Sequence, residues 1–342
     1  MVYIPPDFEA PIVPELDEAE RELDATILAA LPEGCKIGSI VVHGASHWAL
    51  SHRIDTTLPD GTEKPYFLKV LSGQLGKEMA KGEYEGDKAM HAVIPNNVPK
   101  PLAHGTYTKD PNRHFYLCEF HEMDDEMPSA QQFVAVVAEL HKKSVSPTGK
   151  FGFSCTTHAG NHPLQNEWCD VWEEFFTRQL REEVEWERSV QGQDSEMDEL
   201  LEAMFSKVIP RLLRPLQTGG RSIKPSLCHG DLWHGNVGVD MGTDEPILYD
   251  PCATYAHNEY DMTSWRSARY RTNRHHQTAY HKFIEISEPI EDRDDRNALY
   301  ALRNNITVSA QWHANKSTRK LAIEEMRRLV AKYPDGIEGF KE

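Results

Sequence analysis

The chain has 342 residues, with 37 Lys and Arg against 54 Asp and Glu and a formal net charge of −17, a balance that argues against general affinity for nucleic acid or anionic membrane. Its length allows a sizeable core in two lobes, and no run approaches the roughly eighteen apolar residues of a membrane span. Six scattered cysteines, and an N-terminus (Met1-Val2-Tyr3-Ile4-Pro5-Pro6) with no basic segment before an apolar run, give the expectation of a reducing, cytoplasmic setting.

The first third reads as helix, antiparallel sheet, helix. Leu16, Ala19, Leu23, Ile27 and Leu31 share one helical face, which Pro32-Glu33-Gly34 ends. A strand over 36–43, the small-residue turn Gly44-Ala45-Ser46-His47, a strand over 48–56, the turn Pro59-Asp60-Gly61-Thr62 and a third strand over 66–71 follow. Lys69 stands out in that third strand, on one face with Phe67 and Leu71. A buried lysine is costly unless paired. Glu83, on the helix expected over 77–91, is the chosen partner; Glu78 and Glu85 are alternatives, as is a lysine that reaches water from the strand end.

Two more strands, one ending at 107 and one over 114–120, lead into the acidic stretch 121–126, which reads as a connector between lobes. Beyond it the pattern is helical. Apolar stripes mark helices around Phe133 to His141, Trp168 to Phe176, and Leu201 to Leu212 with a kink at Pro210; further helices are expected over 262–287, 292–315 and 317–333. His275, His276 and His281 read as solvated helix surface.

The most informative stretch lies among these helices. His229-Gly230-Asp231-Leu232-Trp233-His234-Gly235-Asn236 is followed, fourteen residues after Asn236, by Asp250-Pro251. A base that accepts a hydroxyl proton, an amide five residues on and a second acid on the next strand are what phosphoryl transfer to a hydroxyl needs, because that reaction takes little covalent help. Asp231 is then the base, and Asn236 and Asp250 the ligands of Mg²⁺. Val237 to Asp240 and Ile247 to Tyr249 read as a small hairpin delivering Asp250. On this reading Lys69 and Glu83 hold the phosphates of ATP. The turn Gly44, Ala45, Ser46 either covers them or is an ordinary hairpin turn. Glu119, Phe120 and His121 are candidates by position for the adenine-binding hinge, with a solvated linker as the alternative. A competing reading takes Cys228, His229 and His234 as metal ligands, without a second pair at zinc-like spacing.

The chain also resembles the fructosamine kinase (ketosamine 3-kinase) family, a relative of aminoglycoside and choline kinases. The resemblance rests on Phe67-Leu68-Lys69-Val70, Glu83, Glu139-Leu140-His141, Gly152-Phe153, Cys155-Thr156-Thr157-His158, Asn166-Glu167-Trp168 with Trp172, the stretch from His229 to Asn236, Asp250-Pro251, and Tyr255 through Asp261. It implies an α+β, protein-kinase-like two-lobed fold: a small antiparallel β-sheet N-lobe over 1–120 and a larger, mainly helical C-lobe over 121–342. It also implies transfer of the terminal phosphate of ATP to the 3-hydroxyl of a ketosamine, fructosamine or ribulosamine, free or protein-bound. Trp233 becomes a candidate platform for the apolar face of the sugar. His257, Glu259 and Asp261 become supports for the loop after Asp250. The sequence departs from the family at the turn 43–48, at His234 and after Arg266. Two alternatives stay open: another hydroxyl acceptor, such as an aminoglycoside-like sugar or a secondary metabolite, and a nucleotide-binding pseudokinase scaffold.

Overall fold

A computed structural model of the protein describes residues 22–124 and 126–340. In chain order its elements are α1 (Ala25–Ala30), β1 (Lys36–Ala45), β2 (Ala49–Thr57), β3 (Glu63–Ser72), α2 (Gly73–His91), β4 (Pro101–Thr106), β5 (Arg113–Glu119) and β6 (Met123–Asp124). They continue with α3 (Ala130–Lys143), β7 (His158–Ala159), β8 (His162–Pro163), α4 (Trp172–Gln191), α5 (Ser195–Ala203), α6 (Ile209–Leu213), β9 (Ser226–Cys228), β10 (Val237–Asp240), β11 (Pro246–Leu248) and β12 (Thr254–Ala256). The helices α7 (Arg274–Tyr280), α8 (Arg293–Gln311) and α9 (Ser317–Lys332) close the series.

These elements form two compact units. The first runs through Pro128 and takes in Cys155–Pro163 and Gly235–Ala253; the second comprises Ser129–Ser154, Leu164–His234 and the chain from Thr254. Compactness thus groups 235–253 with the sheet, although they follow the expected boundary at 120/121.

In the first unit a five-stranded antiparallel sheet has the order β1-β2-β3-β5-β4. Alternation along β3 decides which side chain faces what. Tyr66, Leu68 and Val70 join Phe115, Leu117 and Ile54 on one face, against Ile27 and Leu31. At about 1.5–3 kcal/mol for each fully buried aliphatic side chain, that contact anchors the short α1. Within the stretch from Leu16 to Leu31 where a helix is expected, the described residues place α1 from Ala25. The Asp24 carboxylate accepts from the Thr26 and Thr108 amides at 3.0 Å each and so starts the helix there. Leu16 and Ala19 lie outside the described residues. The other face of the sheet carries Leu71, Tyr116 and Cys118 against Ala80 of α2, with Phe67 alongside. A Cβ at Gly86 of that helix would come within 3.1 Å of the Ala253 side chain and 3.2 Å of Pro251, so glycine lets α2 lie close to the segment that carries Asp250.

The second unit is built on an aromatic core around Trp172, whose indole donates to the Tyr300 hydroxyl at 2.9 Å. Two sequence expectations change here. The helix over 201–212 is α5, then a π-helical turn over Met204–Val208, then α6 with Pro210 in its first turn. Pro210 has no N–H to donate, and the wider π-helical turn comes directly before α6, where the proline sits. The helix expected over 262–287 is instead two 3₁₀ turns, Asn258–Met262 and Ser264–Arg266, followed by α7 alone. Asn273 and His276 form a capping box that starts a new helix at Arg274. His276, expected at the surface, is buried against Phe133 and Trp265. Among the described residues no helix is long and apolar enough to cross a membrane.

Candidate active site

The first unit brings Lys69, Glu83 and Asp250 together. Lys69 Nζ lies 2.6 Å from a Glu83 carboxylate oxygen and 2.5 Å from an Asp250 oxygen. Of the three glutamates considered on α2, Glu83 is the partner; Glu78 accepts from Gln74 at 2.6 Å, and Glu85 lies 3.6 Å from Lys88. Burial opposes the Lys69 charge, but the Asp250 and Glu83 carboxylates outweigh it and raise the lysine pKa. Burial pushes the Glu83 carboxyl well up, against the pull of Lys69 and with that of Asp250 and Asp87. Asp250 adopts a left-handed backbone with φ of 56°, a conformation that carboxylate residues reach more readily than most and that clusters at functional sites. Asn236 Nδ2 sits 3.5 Å from the Asp250 carbonyl, and the Tyr249 amide donates to the Asn236 carbonyl at 3.2 Å, so the β10–β11 hairpin holds the amide beside the acid.

The remaining nucleotide-side candidates have local roles in the same unit. Gly44 and Ala45 end β1, paired with Ser51 and Leu50. The Ser46 hydroxyl accepts from the Trp48 and Ala49 amides at 3.2 and 3.1 Å, closing the hairpin turn. Glu119 pairs with Lys64 at 2.5 Å, and its amide donates to the Lys100 carbonyl at 3.0 Å. Phe120 lies 4.7 Å beneath the Arg53 guanidinium and 5.0 Å from the His43 ring. The His121 ring contacts Asp240 at 2.7 Å, and β6 pairs with β10, so the stretch after β5 is tied to the hairpin that precedes Asp250.

In the second unit, the loop from His229 to His234 is pinned through its backbone. The Asp261 carboxylate accepts from the His229 amide at 2.8 Å and the Gly230 amide at 2.7 Å. His141 bridges Asp261, at 3.0 Å, and the Tyr280 hydroxyl, at 2.7 Å. Gly230 has φ of 83°, which a side chain would strain. The Asp231 amide donates to the His229 ring at 3.3 Å, and the Leu232 carbonyl accepts from the Ser264 hydroxyl at 2.5 Å and the Trp265 indole at 2.9 Å. Asp261, read from sequence as a support for the loop after Asp250, in fact holds the loop before Asp231. Trp233 is partly exposed between His234 and Tyr270, with ring centroids 4.9 and 5.7 Å away. Burial lowers the His234 pKa, and its Nδ1 accepts from the Arg271 amide at 3.2 Å.

Among the described residues, the three-residue group that could hold a metal is His141, Cys228 and Asp261, not the trio Cys228, His229 and His234. With both Asp261 oxygens already accepting backbone amides, that cluster serves the loop. Asp261→Asn is expected to cost about 2–3 kcal/mol of stability, the penalty for losing charge-assisted bonds in a buried site, and to lower kcat with it. Chemical denaturation checks this; wild-type stability would show that the carboxylate does not hold the loop.

His257 and Glu259 lie buried in the same unit.

 The His257 ring contacts the Tyr300 hydroxyl at 2.9 Å and the Ser287 hydroxyl at 2.8 Å, while Glu259 accepts from the Ser287 amide at 2.9 Å and from Arg296 at 3.0 Å. Burial pushes His257 down to about 4, against the pull of Glu259. The folded state thus keeps this ring neutral, whereas the unfolded chain protonates it near pH 6.5, so stability falls as pH drops from about 6.5 towards 4. Between pH 7 and pH 5, urea unfolding of His257→Gln is expected to lose about 2 kcal/mol less than the wild type, and equal losses would refute the assignment.

Lysine and glutamate joined between an antiparallel sheet and its helix, with an acid, amide and acid in series, define an α+β, protein-kinase-like phosphotransferase. The fructosamine kinase family model matches residues 49–326, and the chain belongs to that family. It is 40% identical over 293 residues to the ketosamine-3-kinase of Mus musculus, covering 77% of this chain and 87% of that one. It is 27% identical over 300 residues to the chloroplastic protein-ribulosamine 3-kinase of Arabidopsis thaliana, covering 86% and 83%. The fold is shared with a solved candidate fructosamine-3-kinase from Thermobifida fusca (TM-score 0.67, 20% identity, 87% and 95% covered). It is also shared with aminoglycoside phosphotransferase APH(4)-Ia in its ternary complex with AMP-PNP and hygromycin B (TM-score 0.59, 14% identity, 86% and 94% covered).

The sequence did not single out Asp87, Tyr116, Ser264 or Trp265. Asp87 lies four residues after Glu83, a spacing that puts both on one helical face and was available as a signal. The other three become visible only through pairings distant in sequence.

Proposed function

We propose that this protein transfers the terminal phosphoryl group of ATP to a sugar hydroxyl, the 3-hydroxyl of a ketosamine, either free or attached to a protein lysine. The observation that carries the reading is the Lys69–Glu83–Asp250 cluster in a chain of the fructosamine kinase family. Lys69, held by Glu83, binds the nucleotide phosphates. Backbone groups of Gly44, Ala45 and Ser46 cover them, and the hinge at Glu119, Phe120 and His121 takes the adenine. Asn236 and Asp250 offer oxygen donors, and the Asp250 side chain is 49% exposed, a hard-oxygen set that fits Mg²⁺. When bound there, the ion neutralises charge on the phosphates. Asp231 accepts the proton of the acceptor hydroxyl, and Trp233 offers its indole face to the sugar. The N-lobe through residue 120 thus supplies most nucleotide contacts and the C-lobe from 121 the acceptor side. We place the reaction in the cytoplasm, where six free thiols persist.

Turnover of ATP with fructosyl-lysine, ribulosyl-lysine and an amino-sugar panel, with NMR of the product, tests the reading. Phosphate is expected on the 3-hydroxyl of a ketosamine. Binding of Mg-ATP without transfer to any acceptor would support a scaffold instead, and transfer only to amino sugars would move the substrate class. Trp233→Ala is expected to raise the acceptor KM about tenfold with the KM for ATP little changed, the scale of one lost stacking contact. An unchanged acceptor KM removes Trp233 from the sugar site.

A further inference from the structure

We propose that Tyr116 and Asp87 form a positioning pair that sets the Lys69–Glu83 clamp; the proposal rests on the phosphate-binding reading of that clamp. Lys69 of β3 is directly paired in register with Tyr116 of β5. Cross-strand neighbours lie about 4.5–5.5 Å apart. Glu83 and Asp87 are four residues apart on α2, where side chains at that spacing are about 5–6 Å apart. Two adjacent positions on the sheet therefore match two adjacent positions on the helix. The first rung is Lys69–Glu83 at 2.6 Å. In the second the Tyr116 hydroxyl donates to an Asp87 carboxylate oxygen. One rung leaves the turn of the helix about it to apolar packing alone. Two fix both its rotation and its position along the sheet.

The second rung is an unusual choice for stability alone. Tyr116 and Asp87 are only 1% and 2% exposed, and among the described residues the second Asp87 oxygen is buried without a hydrogen-bond partner. A buried carboxylate satisfied on one side costs folding free energy that an apolar residue at the same place would not. Burial also pushes the Asp87 carboxyl up to about 7, against the Tyr116 hydrogen bond. A group that burdens the fold this way, one helical turn from the glutamate that holds Lys69, is explained by what it does for that glutamate. Tyr116 and Asp87 touch no reacting atom; they act through Glu83.

The test uses the full-length enzyme with steady-state kinetics and thermal melts. Tyr116→Phe removes the donor and keeps the ring, and is expected to raise the KM for Mg-ATP about tenfold, the scale of one buried hydrogen bond, with the acceptor KM within about twofold. Asp87→Leu should raise it more than Asp87→Asn, whose amide oxygen still accepts from Tyr116. In a Glu83→Gln background Tyr116→Phe should add less than about a twofold effect, because the path through Glu83 is already gone. A Tyr116→Phe enzyme with a lower melting temperature but an unchanged KM for Mg-ATP would make the pair merely structural, and overturn the proposal. So would full additivity with Glu83→Gln. If Glu83→Gln alone leaves the KM for Mg-ATP unchanged, the clamp reading itself fails, a result distinct from failure at Tyr116 alone.

Discussion

Asp231→Asn is expected to lower kcat about 10²–10⁴-fold while leaving the KM for Mg-ATP near its wild-type value, the usual scale for removing a positioned general base. The substitution replaces one carboxylate oxygen by an amide nitrogen in a loop whose backbone is held at several points. Its backbone is held by Asp261 at His229 and Gly230, by Ser264 and Trp265 at Leu232, and by the bond from the Asp231 amide to His229. An amide at position 231 fits the same space but cannot take a proton from a hydroxyl. Wild-type turnover in a variant with an unchanged melting temperature would remove Asp231 from the base role. Loss of turnover together with a large rise in the KM for Mg-ATP would instead point to a disturbed nucleotide site.

The chemistry was more legible in the sequence than the supports that aim it. Lys69 could be singled out because the turn Pro59-Asp60-Gly61-Thr62 and the apolar run after it marked β3 as a strand with one lysine in it, and Glu83 was chosen among the three glutamates of the next helix because a buried lysine needs a carboxylate. Both signals are local. The Tyr116–Asp87 pair depends on the register of β5 against β3, which no short window contains. Trp265 belongs to no motif, yet its indole holds the Leu232 carbonyl from 33 residues away. The helix expected over 262–287 failed for a related reason: its apolar residues bury around 3₁₀ turns and a buried His276, and only the Asn273 cap marks where a true helix begins. The lower limit of α1 likewise turned on Asp24, whose carboxylate reaches Thr108 more than eighty residues on.

Lys69→Met is expected to cost about 3–5 kcal/mol of unfolding free energy, the scale for removing one partner of a buried ion pair, and to reduce kcat/KM for Mg-ATP sharply. The loss comes chiefly from Glu83. Its side chain is only 12% exposed, against 49% for Asp250, so it cannot exchange the lost ammonium for water as Asp250 can. Adding Glu83→Gln should therefore restore part of the stability, because the unpaired buried carboxyl is gone and an amide is cheaper to bury. Activity should stay low in the double variant, since the cation that meets the phosphates is still missing. Denaturant unfolding and ATP kinetics on the two single variants and the double variant read the two effects separately. Strictly additive stabilities would show that Lys69 and Glu83 are not energetically coupled, and recovered activity in the double variant would show that Lys69 is not the group that binds phosphate.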